Sequence, residues 1–155
     1  MENKWDRIYL NMTKELAKGS HCTRLKVAAM IVKDGRIIST GINGTPKGYK
    51  NCDEIFTQEE INNTGYEKYF EYHHEFSEKF EIHAEQNALL FLARNGGTGI
   101  EGATIYITHS PCIHCAKMIV NSGIKKVIFN NYYDRNKDAI DFLKELGLTV
   151  VHLEN

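Results

Sequence analysis

The sequence lacks the features that mark secreted, membrane-spanning and repetitive proteins. No stretch approaches the ~20 apolar residues of a membrane span, and there is no internal repeat or low-complexity segment. The charged start, Met1 to Arg7, has no apolar run behind it, which argues against a signal peptide. With 155 residues, 42% hydrophobic and 25% charged, the chain has the composition of one globular domain, residues 1–155. We expect a cytoplasmic protein with no membrane partner.

The sequence also has little net charge and lacks the dense cysteines of a disulfide scaffold. A formal net charge of −1 gives no general attraction for polyanions, so we expect no nucleic-acid partner. Only four cysteines are present, and in a reducing cytoplasm they should serve metal binding or catalysis rather than disulfide bonds.

The first part of the chain predicts a helix and a β-hairpin. Apolar residues at intervals of three and four indicate an amphipathic helix over residues 5–18. Residues 26–33 and 36–42 are rich in Val and Ile, and the Asp34-Gly35 pair between them is typical of a type I′ turn. We therefore predict that the sheet begins with two antiparallel strands.

Residues 44–82 are predicted to form an acidic insertion. Between Asn51 and Ile82, nine acidic residues stand against two lysines. Because runs of one charge are usually solvated, we expect an exposed segment with helices near 57–62 and 66–75.

The second part alternates strands and helices. Predicted helices span 84–94, 112–121 and 137–146, and predicted strands span 103–108, 125–130 and 148–152. The helix over 84–94 is apolar on most sides, so we expect it to be buried against the sheet. The order predicts a three-layer α/β/α fold with a five-stranded mixed sheet, in which the first two strands are antiparallel and the last three parallel. Residues 97–102 match G-x-G-x-x-G, but a helix precedes them and a strand follows, so we interpret them as a loop.

Two short motifs carry the chemistry. The first is His83-x-Glu85 and the second is Pro111-Cys112-x-x-Cys115. Cysteines three apart at the start of a helix share one face, and the free N–H groups there favour the thiolate. Three protein ligands, His83, Cys112 and Cys115, leave one position of a tetrahedral zinc ion open for water, which is the catalytic arrangement.

Glu85 is the predicted acid/base. It is placed to reach the water rather than the metal and to take its proton. The two motifs together resemble those of the zinc nucleobase deaminases, which implies that the same carboxyl delivers the proton to N3 of a cytosine and then to the departing ammonia. A closed structural zinc site and a Cys-x-x-Cys redox pair are the alternative interpretations. We expect His114 to face outward and His109 to lie at the edge of the pocket.

The chain resembles the deoxycytidylate (dCMP) deaminase family over most of its length. The two motifs are those of the zinc nucleobase deaminases in general, whereas the block Gly-Ile-Asn-Gly-Thr-Pro from Gly41 to Pro46 points to the dCMP enzymes. The resemblance implies hydrolysis of dCMP to dUMP and ammonia, which feeds thymidylate synthesis. It also implies a homohexamer that is activated by dCTP and inhibited by dTTP, with Mg²⁺ accompanying the triphosphate.

The same resemblance implies roles for further residues. The implied substrate contacts are Asn43, Ala84, Ser110 and Tyr133. The implied effector-site residues, between subunits, are Phe91, Arg94 and Gly44. A cation such as Arg94 also suits a helix C-terminus without any effector. Ile42 stands where the family usually has Tyr, and Ala28 where Gly is common, and both bear on effector response more than on catalysis.

Some phage-type members of the family carry a second, structural zinc. The implied ligands here are Cys22, Cys52, His73 and Glu81. Such a set would fasten the polar insertion to the core. From sequence His74 is as good a candidate as His73, and a buried free cysteine is a common alternative.

The sequence determines the substrate less clearly than it determines the metal ligands. Cations available for a 5′-phosphate are Arg24, Lys26, Lys47, Arg135 and Lys137, and the sequence does not rank them. Another deaminase of cytidine, guanine or tRNA adenosine, or one that acts on both dCMP and dCTP, is the nearest alternative. The acidic insertion argues against a tRNA substrate. A non-catalytic, zinc-stabilised regulatory module would have no use for an unligated Glu85.

Overall fold

The computed structural model describes residues 3–97 and 99–155, so Met1 and Glu2 of the charged start and Thr98 of the predicted 97–102 loop lie outside the described residues. The described elements are α1 (Lys4–Ala17), β1 (Ala28–Lys33), β2 (Arg36–Ile42), α2 (Cys52–Ile55), α3 (Gln58–Thr64), α4 (Tyr66–Phe80), α5 (Ala84–Arg94), β3 (Thr104–His109), α6 (Ile113–Ser122), β4 (Lys126–Asn131), a 3-10 turn (Asp134–Asn136), α7 (Lys137–Glu145) and β5 (Thr149–His152). Within these ranges no helix combines the length and the apolar character that crossing a membrane requires.

The strands form one mixed sheet in the order β2-β1-β3-β4-β5. β1 is antiparallel to both β2 and β3, whereas β3, β4 and β5 run parallel. The predicted fold class is therefore confirmed. Asp34 and Gly35 have φ of 50° and 71°, as the predicted turn between β1 and β2 requires. β1 begins at Ala28 rather than at Lys26, because the N–H of Val27 donates to the side chain of Asn43 instead of to a strand.

Helices cover both faces of the sheet. α5, α6 and α7 pack on one face and enclose the larger core, which includes Ile105, Val127 and Phe129 of the central strands. α1 covers the other face, where Leu10 contacts the smaller core around Ile128. These layers confirm the predicted α/β/α arrangement.

The expectation that α5 would be buried on most sides is wrong. Leu90 and Phe91 are 56% and 51% exposed. Two of the four buried residues of α5 are alanines, Ala84 and Ala88, and they let the helix lie directly on the backbone of Gly41. A Cβ at Gly41 would lie 2.3 Å from the carbonyl oxygen of Ala84. Leu90 and Phe91 lie on the opposite side of α5, and about half of each side chain is open to solvent.

The acidic insertion has the predicted exposed charges and helices. Its acidic side chains from Asp53 to Glu78 are all exposed. α4 is longer than predicted and continues to Phe80, and the short α2 was not predicted. A small aromatic cluster holds the insertion, in which Phe56 contacts Tyr69 and Phe76 edge-to-face at 5.6 and 5.5 Å between ring centroids.

Candidate functional site

The candidate site lies at the carboxyl ends of β3 and β4, where a cavity of about 710 Å³ opens. Ligand sites of α/β folds are commonly found at this edge of the sheet. The two strand ends are tied together because Ser110 N–H donates to the carbonyl of Asn131 over 2.8 Å. The N-terminus of α5 and the start of α6 bring His83 and Cys112 to the same cavity.

His83, Cys112 and Cys115, the first cluster, place their ligand atoms within 4.8 Å of one another. His83 Nδ1 lies 3.6 Å from Cys112 Sγ and 3.3 Å from Cys115 Sγ. A tetrahedral zinc ion with ordinary Zn–S and Zn–N bonds separates such a nitrogen and sulfur by about 3.6 Å. The donor set and its spacing therefore fit zinc.

Cys112 differs from the prediction in one respect. It is the N-cap of α6, with extended backbone (φ −75°, ψ 168°), rather than its first helical residue. Pro111 consequently precedes the cap and does not occupy the first turn. Cys115 lies inside the helix and is fully buried, so the two thiols approach His83 from the loop and from the first turn.

The three donors of the first cluster shift one another's pKa values through the hydrogen bonds between them. A hydrogen bond from the Cys115 thiol, supported by one from His83, lowers the pKa of Cys112 to about 3 against the effect of burial. The same thiol–thiol hydrogen bond, together with burial, raises the pKa of Cys115. The hydrogen bond with Cys112 raises the pKa of His83, although burial lowers it. A cation bound by these donors would relieve their competition for one proton.

Glu85 follows His83 of the first cluster by two residues, but it is not one of the donors of that cluster. It is only 5% exposed and lines the same cavity. Burial raises the pKa of Glu85, while a hydrogen bond with Cys115 opposes that rise. A buried carboxyl with a raised pKa beside a metal-type donor set suits proton transfer near neutral pH.

A second cluster consists of Cys22, Cys52, His73 and Glu81, whose ligand atoms also lie within 4.8 Å of one another. Cys22 Sγ lies 3.4 Å from His73 Nε2. The structure decides between the neighbouring histidines, because His73 is buried at 4% exposure and His74 is exposed.

The chemistry of the second cluster also fits zinc. Glu81 Oε1 is buried and has no hydrogen-bond partner among the residues of 3–97 and 99–155. A hydrogen bond with Cys52 lowers the pKa of Cys22 to about 4, and burial raises the pKa of Glu81. Four protein donors in one buried group are typical of a closed structural site rather than a catalytic one.

A short extended link joins the two clusters. Glu81 belongs to the second cluster and His83 to the first, with only Ile82 between them. Ile82 forms an antiparallel bridge with Gly44, in which Ile82 N–H donates over 2.8 Å and Gly44 N–H over 3.1 Å. The loop that carries Asn43 is thereby fixed beside both clusters.

The four predicted substrate contacts all line the cavity: Asn43, Ala84, Ser110 and Tyr133. The amide of Asn43 is oriented by the backbone, since its Oδ1 accepts from Val27 N–H at 2.9 Å and its Nδ2 donates to Leu25 at 2.8 Å. Ser110 Oγ accepts from Tyr133 N–H at 2.9 Å, which ties the loop after β4 to the first cluster. The cavity wall also includes His109 and His114, and His114 is exposed and is not one of the donors of the first cluster.

Sequence reasoning missed a stack of three side chains on the cavity wall. The rings of His109 and Tyr133 stack at 5.4 Å with an interplanar angle of 11°, and the guanidinium of Arg135 lies 4.9 Å from the Tyr133 ring centroid. Burial, with the charge of Arg135, lowers the pKa of His109. No spacing in the sequence could reveal this stack, because His109 ends β3 while the other two residues follow β4.

The predicted effector residues are not brought together within one chain. Gly44 pairs with Ile82, just before α5, whereas Arg94 ends that helix, about 15 Å further along its axis. Phe91 and Arg94 are exposed. A site that used all three would need a second copy of the chain.

Comparison with known proteins agrees with this geometry. Residues 3–131 match the family described as the cytidine and deoxycytidylate deaminase zinc-binding region. The deoxycytidylate deaminase of Enterobacteria phage T2 is 42% identical over 163 aligned positions, which cover 89% of this chain and 86% of that protein. The deoxycytidylate deaminase of Enterobacteria phage T4 is 41% identical and covers 89% and 84%.

A solved structure shows the same fold. The dCMP deaminase of cyanophage S-TIM5, crystallised in complex with dCMP and dUMP, superimposes with a TM-score of 0.76 at 35% identity. The match covers 100% of this chain and 99% of that one.

Proposed function

The chain belongs to the cytidine and deoxycytidylate deaminase family, and we propose that it hydrolyses dCMP to dUMP and ammonia. The observation that carries the proposal is the position of Glu85, buried beside a three-donor cluster without being one of its donors. The names of its phage relatives and the nucleotides bound to the S-TIM5 enzyme support dCMP as the substrate.

Zinc would be held by His83 Nδ1 and by the sulfurs of Cys112 and Cys115. When bound, the ion supplies Lewis acidity that makes water a better nucleophile near neutral pH. The other protein groups position the base: Asn43, Ser110 and Tyr133 line the cavity in which the cytosine and its sugar would lie.

Glu85 carries the proton through the reaction. It accepts a proton from the attacking water and delivers it to N3 of the cytosine as the oxygen adds to C4. It then takes the remaining hydroxyl proton and passes it to the amino nitrogen as the C4–N bond breaks, so that ammonia leaves and uracil remains. Burial raises the pKa of the Glu85 carboxyl, which makes it a weaker acid than an exposed carboxyl and suits it to hold the proton between the two halves of this exchange.

The second cluster is proposed to bind a structural zinc through Cys22, Cys52, His73 and Glu81. The unpartnered oxygen of Glu81 and the two adjacent thiols support this assignment. The insertion has little apolar core of its own, so the ion would hold α2 and α4 to the segment before β1.

Regulation and assembly are proposed from the family resemblance and the surface of α5. The exposed Leu90 and Phe91 would be covered in a homohexamer. A site that joins Phe91 and Arg94 of one subunit to Gly44 of another would accept dCTP as activator or dTTP as inhibitor, with Mg²⁺ on the triphosphate. The product dUMP would supply thymidylate synthesis in the cytoplasm.

The decisive experiment measures ammonia release from dCMP, dCTP, deoxycytidine and cytidine by the zinc-loaded protein. Each of the other three substrates is tested alone and with added dCTP or dTTP. Ammonia release from dCTP alone is the control for the reactions that contain added dCTP. We expect dCMP to be the preferred substrate. Equal turnover of deoxycytidine and dCMP would contradict the monophosphate assignment, and turnover of none of the four would contradict deamination itself.

A further inference from the structure

The two sulfurs of the second cluster differ in how a small molecule from solvent would reach them. Cys22 forms part of the wall of the cavity, whereas Cys52 is only 1% exposed and is not among the described residues of that wall. Their Sγ atoms lie within 4.8 Å of each other. A small molecule that enters the cavity therefore meets the sulfur of Cys22 first, and the sulfur of Cys52 lies next to it.

The sulfur of Cys22 is held in a fixed position. Its Sγ accepts a hydrogen bond from Leu25 N–H over 3.4 Å, and the backbone N–H of Cys22 donates to Ser20 Oγ over 3.2 Å. His73 Nε2 lies 3.4 Å from the same sulfur. Because the thiolate is both the metal ligand and the nucleophile toward oxidants, a sulfur placed to bind a metal here is also placed to react.

Cys52 lies on an element that can move. α2 has four residues, and Cys52 is the one among them that is buried. The sulfurs of the first cluster are fixed more firmly, since Ala116 N–H donates to the carbonyl of Cys112 over 2.9 Å and Cys115 is fully buried within α6. We therefore expect Cys52 to approach Cys22 more readily than Cys112 approaches Cys115.

We propose that Cys22 and Cys52 form an oxidation-sensitive pair, which a hydroperoxide such as hydrogen peroxide converts to a disulfide. The thiolate of Cys22 attacks one oxygen of the peroxide, the O–O bond breaks and hydroxide leaves, so that Cys22 becomes a sulfenic acid. The thiolate of Cys52 then attacks that sulfur, forms the S–S bond and displaces a second hydroxide. The two sulfurs lose two electrons to the peroxide, and both hydroxides take protons from solvent to give water.

The disulfide would release the main helix of the insertion. It removes both thiolates from the second cluster and leaves only His73 and Glu81, which lie on α4 and at its C-cap. α2 would stay joined to the segment before β1 through the new bond, whereas α4 would lose its tie through the metal. Glu81 is two residues before His83, so the released end of α4 adjoins the first cluster. The inference goes beyond deamination and rests on the proposed metal site of the second cluster.

The test treats the zinc-loaded, unaltered protein with hydrogen peroxide, removes the excess with catalase and alkylates the remaining thiols in denaturant. Peptide mass mapping should find a Cys22–Cys52 disulfide before any disulfide between Cys112 and Cys115. A colorimetric chelator should detect the release of about one zinc per chain. Limited proteolysis should cut α4 faster after oxidation, and dithiothreitol with added zinc should reverse all of these changes.

Two single variants assign the roles of the two cysteines. In Cys52→Ser, oxidation should stop at the sulfenic acid of Cys22, which dimedone labels. In the matched control Cys22→Ser, dimedone should leave Cys52 unlabelled, because the sulfur that forms part of the cavity wall is gone.

The peptide map of the unaltered protein decides the inference even if a variant does not fold. A disulfide between Cys112 and Cys115 while Cys22 and Cys52 stay reduced, or release of zinc without the Cys22–Cys52 disulfide, would overturn it. Failure of the proposed function is seen separately. Untreated protein that deaminates nothing contradicts deamination, and untreated protein with only about one zinc per chain contradicts the structural metal.

Discussion

The two clusters are built from similar donors but are completed differently. The first has three donors and a buried carboxylate, Glu85, that stays outside the donor set, whereas the second has four donors that include its carboxylate, Glu81. The first lies where a strand end and two helix starts meet, and the second joins an insertion to the core. We propose that the place of the carboxylate, outside or inside the donor set, distinguishes a catalytic site from a structural one.

The sharpest test of this difference makes the same substitution at both carboxylates. Glu85→Gln should lower turnover of dCMP by at least about 10³-fold, because the amide cannot carry the proton, and should leave the metal content unchanged. Glu81→Gln should lower the metal content with a much smaller loss of turnover. Ammonia release and elemental analysis of both variants provide the measurements, and appreciable activity of Glu85→Gln would reject its role.

A second test exchanges one thiol in each cluster. Cys22→Ser should remove about one zinc per chain and lower the midpoint of thermal unfolding by roughly 10 °C, since the linked free energy of metal binding is lost. Cys115→Ser should abolish turnover. It should also increase limited proteolysis of the insertion less than Cys22→Ser does. If Cys22→Ser leaves zinc content and unfolding unchanged, the second cluster is only a buried group of polar side chains.

The third test, which has the smallest expected effect, disturbs the packing of α5, the helix that follows His83 of the first cluster. Gly41→Ala would place a methyl group 2.3 Å from Ala84 O and 2.6 Å from Ala88 N, so that α5 must move away from β2. We expect a loss of about 1–3 kcal/mol in the free energy of unfolding, measured by urea denaturation. Gly44→Ala is the matched control, because a Cβ there meets no atom within 4 Å. A loss that is equal in both variants would show that close packing of α5 is not the cause.

Local patterns in the sequence were sufficient for most of the fold. The strand and helix periods, and the Asp34-Gly35 turn, depend on neighbouring residues, and these predictions are confirmed within a few residues. Exposure of Leu90 and Phe91 could not be predicted in this way. It depends on which side of α5 meets Gly41, a residue more than forty positions earlier.

The same limit applies to the candidate site: short motifs could be predicted from the sequence, whereas contacts between distant segments could not. The donors His83, Cys112 and Cys115 were found because metal ligands occur in short motifs with characteristic spacing. The choice of His73 over His74, and the stack of His109, Tyr133 and Arg135, required the structure. They depend on which side of a helix is buried and on rings contributed by separate elements.

The link Glu81-Ile82-His83 has a consequence for how this chain can vary in length. Its residues are extended, so adding or deleting one of them would displace a donor by about 3.3 Å and turn the next side chain to the opposite side. The length of this link therefore cannot change without displacing a donor of one of the two clusters. Insertions and deletions among relatives should fall elsewhere in residues 44–82, for example at the turn of Gly65, where φ is 87° and a Cβ would meet nothing within 4 Å.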